Sequence, residues 1–104
     1  MVYRVVAKEG EENALRSIVR ECVSYAHESK DCLYYTFFES LTKPGEFIVY
    51  YRFTNKAAQD VHIKHLQEKI GPAKEEGDLP IKFLNLVATE EIVFFENKPD
   101  ARIY

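Results

Sequence analysis

The sequence predicts a small α+β fold, and three observations support this prediction. Its 104 residues suit one compact domain with one hydrophobic core. Short runs rich in β-branched and aromatic residues have the composition of strands. They alternate with two longer segments in which apolar residues recur every three or four positions, as they do on one face of a helix. We therefore predict a single domain over residues 1–104.

The first strand and the first helix follow from the N-terminal residues. Residues 2–8 are rich in valine and free of helix or strand breakers, so they predict a strand that ends at Gly10. Acidic residues then occupy the start of the next segment, where a helix dipole favours negative charge. A helix to about Ser29 is predicted from apolar residues spaced three and four apart, namely Leu15, Ile18, Val19, Cys22 and Ala26.

A hairpin and a second helix are predicted next. The aromatic runs 32–40 and 47–53 flank the turn signal at Lys43-Pro44-Gly45, which indicates two antiparallel strands. Thr54 and Asn55 can cap a following helix through their side-chain oxygens. At about 100° per residue, one apolar arc of that helix holds Ala58, Val61, His62, His65 and Leu66.

The C-terminal part completes a ferredoxin-like pattern. Gly71-Pro72 ends the second helix, and residues 73–80 predict a polar loop that is either mobile or acts as a lid. Residues 81–88 and 92–96 have strand composition, with a break or bend at 89–91. The order is therefore β-α-β-β-α-β, an antiparallel sheet with helices on one face and an extra C-terminal strand or arm at about 89–104. A symmetric homodimer would cover the other, aromatic-rich face, with each arm reaching across.

Charge and motifs exclude several classes of function. The net charge of −3 comes from 14 basic and 17 acidic residues spread along the chain, so no basic stripe predicts a nucleic-acid partner. No apolar run is long enough to span a bilayer, and we expect a cytoplasmic protein without a membrane partner. The spacing of Cys22 and Cys32 fits neither a zinc nor a redox motif, and both are predicted to be buried. No GxGxxG or P-loop motif predicts a cofactor.

The two histidines of the second helix are the main candidates for chemistry. A histidine that faces a sheet is commonly a packed core residue, but a partly buried imidazole beside a cleft can also act as a general base or hydrogen-bond donor. We favour His62 for this role. His62 and His65 are three residues apart and could share a metal ion, but no third ligand is evident nearby, so no metal site is predicted.

Several segments resemble the antibiotic biosynthesis monooxygenase (ABM) family, whose members are dimeric ferredoxin-like proteins that form a dimeric α+β barrel. The resemblance lies in Cys32-Leu33-Tyr34-Tyr35, in Phe38-Glu39-Ser40, in Pro44-Gly45-Glu46-Phe47, and in Ala58 followed four residues later by His62. Family members commonly carry a glutamate and a tryptophan near the end of the third strand, where this chain has Tyr51 and Phe53. Haem-degrading relatives use an asparagine where this chain has Tyr3, so haem breakdown is disfavoured.

The resemblance implies oxygenation of a small phenol, quinol or anthrone-like ring by O2 without a metal or flavin. His62 would take the phenolic proton, Tyr51 or Tyr3 would donate a hydrogen bond to the resulting anion, and Phe47 and Phe53 would enclose the ring, with His65 as a further ligand contact. Two alternatives remain open at this point. One is an isomerase or lyase that acts on a small carbonyl metabolite, and the other is a non-catalytic dimer that binds a small molecule.

Overall fold

Four strands and three helices account for the regular structure of residues 1–93, the part of the chain that the computed structural model describes. The strands are β1 (Val2–Ala7), β2 (Cys32–Glu39), β3 (Glu46–Phe53) and β4 (Val87–Val93). The helices are α1 (Glu12–His27), α2 (Lys56–Lys69) and α3 (Ile81–Leu84). The strands pair antiparallel in the order β2-β3-β1-β4. The predicted α+β, ferredoxin-like fold is therefore confirmed, and its sheet is open.

The core lies between one face of this sheet and the helices. Because side chains alternate along a strand, Val5 of β1 and Phe47 and Val49 of β3 are buried on the same face. The residues of α1 that pack against them are the predicted apolar set, Leu15, Ile18, Val19, Cys22 and Ala26. The three-and-four spacing thus identified the buried face of α1 correctly.

The β2–β3 hairpin is joined to α1 by a carboxylate. The guanidinium of Arg16 donates two hydrogen bonds of 2.6 Å to the Glu39 carboxylate, and the Gly45 N–H donates a third of 3.0 Å. These bonds favour the ionised form, with Arg16 as the largest cause, and lower the pKa of Glu39 to about 2. The turn is therefore held against the first turns of α1.

Helix α2 begins as predicted but presents a different face to the sheet. The Asn55 side chain accepts a 2.8 Å hydrogen bond from the Ala58 N–H, so Asn55 is the N-cap. His62 is buried, but Val61 is 66% exposed, so its predicted place in the buried stripe is wrong. Ile63, on the opposite side of His62, packs against the core instead. The prediction assumed that the apolar residues of α2 face the sheet. The face that packs against the sheet is instead rotated about the helix axis, away from Val61 and towards Ile63.

The predicted strand over residues 81–88 is also wrong in its first half. Ile81–Leu84 forms one helical turn after Pro80, and β4 begins only at Val87. Residues 89–91, predicted as a bend, pair continuously with β1 in the middle of β4. The short apolar run fits either period, and burial of Phe83 against the core favours the helical turn. Of the predicted arm, residues 89–93 belong to the sheet and the rest lies outside the described residues.

The face of the sheet away from the helices is polar at some positions and aromatic at others. Tyr34 is 48% exposed, Phe38 61% and Tyr50 39%. The rings of Phe38 and Tyr50 meet edge to face, with centroids 5.9 Å apart. No helix formed by residues 1–93 is both long enough and apolar enough to cross a membrane.

Candidate functional site

A cavity of about 380 Å³ lies between α2, α3 and the helix-facing side of the sheet. This volume is within the range of small-molecule sites. Its aromatic wall consists of Tyr3, Tyr35, Tyr51 and Phe83, and its polar lining includes His62, Gln59, Asp60, Asp78 and Glu90. The cavity therefore combines flat apolar surfaces with a few polar groups.

Two tyrosines enter the cavity through the register of the hairpin. Tyr35 of β2 and Tyr51 of β3 are paired residues, so their side chains lie on the same face. Their ring centroids are 5.3 Å apart. Burial raises the pKa of Tyr51, and it raises that of Tyr35 well above the ordinary value. Both hydroxyls therefore keep their protons at neutral pH and are available as hydrogen-bond donors.

A third tyrosine is hydrogen-bonded across the sheet. The hydroxyl of Tyr3 on β1 donates to Oε2 of Glu90 on β4. Burial is the main reason that the pKa of Tyr3 is raised, and the bond to Glu90 adds to the effect. Because the Tyr3 proton is committed to Glu90, this hydroxyl can act toward a ligand only as an acceptor.

His62 reaches the cavity wall from α2 and is only 5% exposed. Its ring contacts Tyr35 and Phe53, with centroid distances of 5.2 and 5.1 Å. Its Nε2 has no hydrogen-bond partner among residues 1–93. Burial, with a smaller contribution from the charge of His65, lowers the pKa of His62 to about 4. The imidazole is therefore neutral at pH 7 and can accept a proton.

The other predicted site residues lie behind or beside the cavity. Phe53 packs against His62 but does not line the cavity. Phe47 is fully buried in the core beside Phe37, with ring centroids 6.1 Å apart. His65 also lies outside the lining, and its Nε2 is 3.4 Å from Glu28 Oε2 without the geometry of a hydrogen bond. Of the six predicted residues, the cavity brings together His62, Tyr51 and Tyr3.

Sequence reasoning missed most of the lining, including the chemically important residues Tyr35, Cys22 and Glu90. Tyr35 could have been found by pairing the two hairpin strands around the Pro44-Gly45 turn, which places it opposite Tyr51. Cys22 was predicted only as a buried residue, and burial indeed raises its pKa to about 12, so it remains a thiol. Glu90 had no signal, because residues 89–91 were predicted as a bend.

The loop before α3 closes one side of the cavity. Gly77, Asp78 and Leu79 are part of the lining. The side-chain amide of Gln67 on α2 donates a 2.8 Å hydrogen bond to the Asp78 carbonyl. This bond holds the loop against α2 from outside the cavity.

The donor groups of the described residues do not assemble into a metal site. Within residues 1–93, no three His, Cys, Asp or Glu side chains lie close enough together to hold one ion. His62 and His65 thus have no third ligand in the described part of the chain.

The fold and the cavity define a class of protein, a small ferredoxin-like domain that encloses a tyrosine-lined site beneath a helix histidine. The family model of antibiotic biosynthesis monooxygenases matches residues 1–68. The chain belongs to this family, and the resemblance found in the sequence is confirmed. Family membership supports a monooxygenase in general and leaves the substrate undefined.

Solved structures share the whole fold. A Deinococcus radiodurans protein described as an antibiotic biosynthesis monooxygenase is 20% identical, with a TM-score of 0.70 over 100% of this chain and 99% of that one. A Bacteroides thetaiotaomicron protein described in the same way is 14% identical, with a TM-score of 0.69 over 99% of this chain and 92% of that one. A conserved Methanosarcina mazei protein is 14% identical, with a TM-score of 0.72 over 93% and 89%. No curated protein matches the sequence significantly.

Proposed function

We propose that the protein is a monooxygenase that oxidises a small phenol, quinol or anthrone-like substrate with O2, without a metal or flavin. The observation that carries this proposal is a 380 Å³ cavity lined by a buried neutral histidine, His62, and by the side chains of Tyr35 and Tyr51. An electron-rich ring that has lost a proton can itself give an electron to O2. The protein then needs to bind the ring, accept the proton, stabilise the anion and exclude water.

The proton acceptor in this proposal is His62. Burial holds this histidine neutral, with a pKa of about 4. A substrate anion beside the imidazole favours its protonated form, because opposite charges attract strongly in a buried site. Proton transfer from the substrate therefore creates an ion pair in which each charge stabilises the other.

Tyr35 and Tyr51 supply the hydrogen bonds to the substrate oxygen. Their hydroxyls are protonated at neutral pH, as tyrosines ordinarily are, and burial raises both pKa values further. Within residues 1–93 they form no side-chain hydrogen bond, so both donors are free for a ligand. Fixed donors that face a developing negative charge are an effective way to lower a reaction barrier.

The reaction balances without an added reductant. An anthrone-like substrate loses the two hydrogens of a ring methylene, and a phenol or quinol loses one ring C–H hydrogen and one O–H hydrogen. In each case the ring carbon gains one oxygen atom from O2. The second oxygen atom leaves as water together with those two hydrogens. The substrate carbon is oxidised to a carbonyl and O2 is reduced.

A homodimer formed through the open face of the sheet is part of the proposal. Three aromatic residues on this face, Tyr34, Phe38 and Tyr50, are between 39% and 61% exposed. Apolar surface of this kind is commonly covered by a partner. A second copy, related by two-fold symmetry, would place the same surface against itself.

Oxygen uptake tests the proposed reaction directly. The full-length protein is mixed with a panel of hydroquinones and anthrones, O2 consumption is followed, and ¹⁸O2 labelling identifies the oxygen transferred. We expect uptake with at least one ring compound and one labelled atom per product. Folded protein that consumes no O2 with any member of the panel contradicts the proposal.

Variants of α2 and β3 test the assigned residues. His62→Ala should lower turnover by about 10²-fold, the usual contribution of a general base. Tyr51→Phe should lower it by about tenfold through loss of one hydrogen bond to a charged group. Val61→Ala is the matched control, because Val61 is adjacent to His62 but 66% exposed and outside the lining. Undiminished turnover in His62→Ala would remove His62 from the mechanism.

A non-catalytic binding protein is the second candidate function. It is favoured by the pKa of His62, since a histidine with a pKa of about 4 is a weak base before a ligand binds. This candidate predicts saturable binding of ring compounds without O2 uptake. Calorimetric titration of the same panel separates it from the oxygenase.

A further inference from the structure

The charged groups of the cavity lining all have one sign. The lining contains the carboxylates of Asp60, Asp78 and Glu90, and among residues 1–93 it contains no lysine or arginine. Asp60 is paired with Lys56 at 3.1 Å, so its charge is compensated at the surface. Neither Asp78 nor Glu90 forms an ion pair with another described residue. Both residues are solvent-exposed, so the mouth of the cavity carries negative charge that no described cation neutralises.

Glu90 is the carboxylate best placed to bind. Tyr3, which is 7% exposed, donates its hydroxyl proton to one oxygen of Glu90. This bond holds the carboxylate at the cavity wall and leaves its remaining lone pairs free, because an ionised carboxylate accepts about four hydrogen bonds. The Tyr3 oxygen beside it is a further acceptor. Two adjacent acceptors therefore face a ligand that brings hydrogen-bond donors.

A second observation concerns His62, which lines the same cavity. His62 is 5% exposed, and its Nε2 has no partner among residues 1–93. A buried polar atom without a hydrogen bond is costly unless something binds it. This observation does not depend on the carboxylates, and it belongs to a residue that lines the same cavity.

We infer that the natural ligand is a phenol that carries a protonated amine, with its ammonium group bound by Glu90 and Tyr3. This inference rests on the proposed function and narrows its substrate class. The ammonium supplies donors to both acceptors and neutralises the carboxylate. A cleft lined by one sign of charge also attracts ligands of the opposite sign and repels carboxylated rings.

The aromatic walls add to this selectivity. Tyr3 and Phe83 lie side by side, with ring centroids 6.2 Å apart, and both line the cavity. The face of an aromatic ring attracts a cation through its quadrupole. An ammonium near Glu90 therefore gains from the neighbouring rings as well as from the carboxylate.

Three phenols of nearly equal size test the inference by calorimetry on the full-length protein. They are tyramine, 4-ethylphenol and 4-hydroxyphenylacetate, which are cationic, neutral and anionic at pH 7. We expect tyramine to bind roughly tenfold more tightly than 4-ethylphenol, the usual value of a hydrogen bond to a charged group. We expect 4-hydroxyphenylacetate to bind most weakly. Raising the salt concentration should reduce the preference for tyramine, because salt screens charges near the surface.

Two variants localise the preference. Glu90→Gln keeps an oxygen that can accept from Tyr3 but loses the charge, so tyramine should fall to within about twofold of 4-ethylphenol. Glu68→Gln removes the same charge from an exposed position of α2 outside the lining and should keep the full preference. If Glu90→Gln does not fold, the comparison of the three phenols and its salt dependence on the natural protein still decides the inference.

The outcomes distinguish this inference from the proposed function. Equal binding of tyramine and 4-ethylphenol, or tighter binding of the acid, overturns the inference and leaves the oxygenase proposal intact. Preferential binding of tyramine without O2 uptake from any phenol or quinol supports the ligand class and contradicts the oxygenase. A preference that persists unchanged in Glu90→Gln overturns the assignment to Glu90.

Discussion

The imidazole of His62 lies against the ring of Phe53, with centroids 5.1 Å apart and ring planes inclined by 33°. Phe53 is the last residue of β3, and His62 lies on the second turn of α2, so the contact crosses the short connection between them. Phe53 supports the histidine from behind and does not line the cavity. Phe53 therefore influences the cavity indirectly, by fixing where the His62 ring lies.

Burial of His62 predicts that stability falls as the pH is lowered. The unfolded chain binds a proton at His62 below about pH 6.5, whereas the folded protein binds it only near pH 4. Stability from this group is therefore fully present above pH 6.5 and declines between pH 6.5 and 4. From pH 7.5 to 5.0, we expect the natural protein to lose up to about 2 kcal/mol more than His62→Gln in urea unfolding. Equal losses would contradict a buried neutral His62.

Gln67→Leu should weaken ligand binding without unfolding the protein. The substitution removes the hydrogen bond to the Asp78 carbonyl, which holds the loop that includes Gly77 and Leu79 at the cavity. We expect KM to rise about fivefold with a smaller change in kcat, the effect of losing one ordinary hydrogen bond. Thermal unfolding provides the control, and an unchanged KM would show that the loop does not depend on Gln67.

Gly45→Ala should be more destabilising than Gly10→Ala. Both glycines have a left-handed φ, +87° and +86°, so alanine costs about 1–2 kcal/mol at either position. A Cβ at Gly45 would also lie 2.6 Å from Glu12 Cγ and 3.2 Å from Ala7 Cβ. A Cβ at Gly10 would have no such neighbour within 4 Å. We expect a further 1–3 kcal/mol at Gly45 in urea unfolding. Equal effects would mean that the hairpin turn moves freely away from α1.

Phe38→Glu should convert the proposed dimer into a monomer. Phe38 is 61% exposed on the open face, and a negative charge there would have to be buried against a second copy. Sedimentation equilibrium should give twice the chain mass for the natural protein and one chain mass for the variant. Leu41→Glu is the control, because Leu41 is fully exposed in the loop between β2 and β3 and should leave the dimer intact. A monomeric natural protein would contradict the dimer.

The sequence predicted those elements in which local pattern and burial agree. The three-and-four spacing of α1 and the Asn55 cap of α2 are physical signals contained within a few residues. The helical turn at Ile81–Leu84 could not be recognised in the same way. A run of four residues, three of them apolar, fits a strand or a helix, and packing of Phe83 against Tyr3, far away in sequence, favours the helix.

The cavity was predictable only in part, for a related reason. Tyr51 and His62 follow from the periods of β3 and α2, but the polar end of the cavity depends on which strand lies next to β1. Glu90 reaches Tyr3 because β4 pairs with β1 at the edge of the sheet. A contact between such distant segments produces no periodic pattern in the sequence, so it could not be predicted from residue spacing.

The Tyr3–Glu90 contact joins the first and last strands of the described chain, which are 87 residues apart at these positions. Contacts between distant residues form late in folding, because a long loop must close before they are gained. The ligand site needs β4 beside β1, because Glu90 belongs to one strand and Tyr3 to the other. A molecule that binds in the cavity contacts both strands and therefore favours the state in which β4 is paired with β1. By mass action it stabilises the folded protein against separation of these two strands.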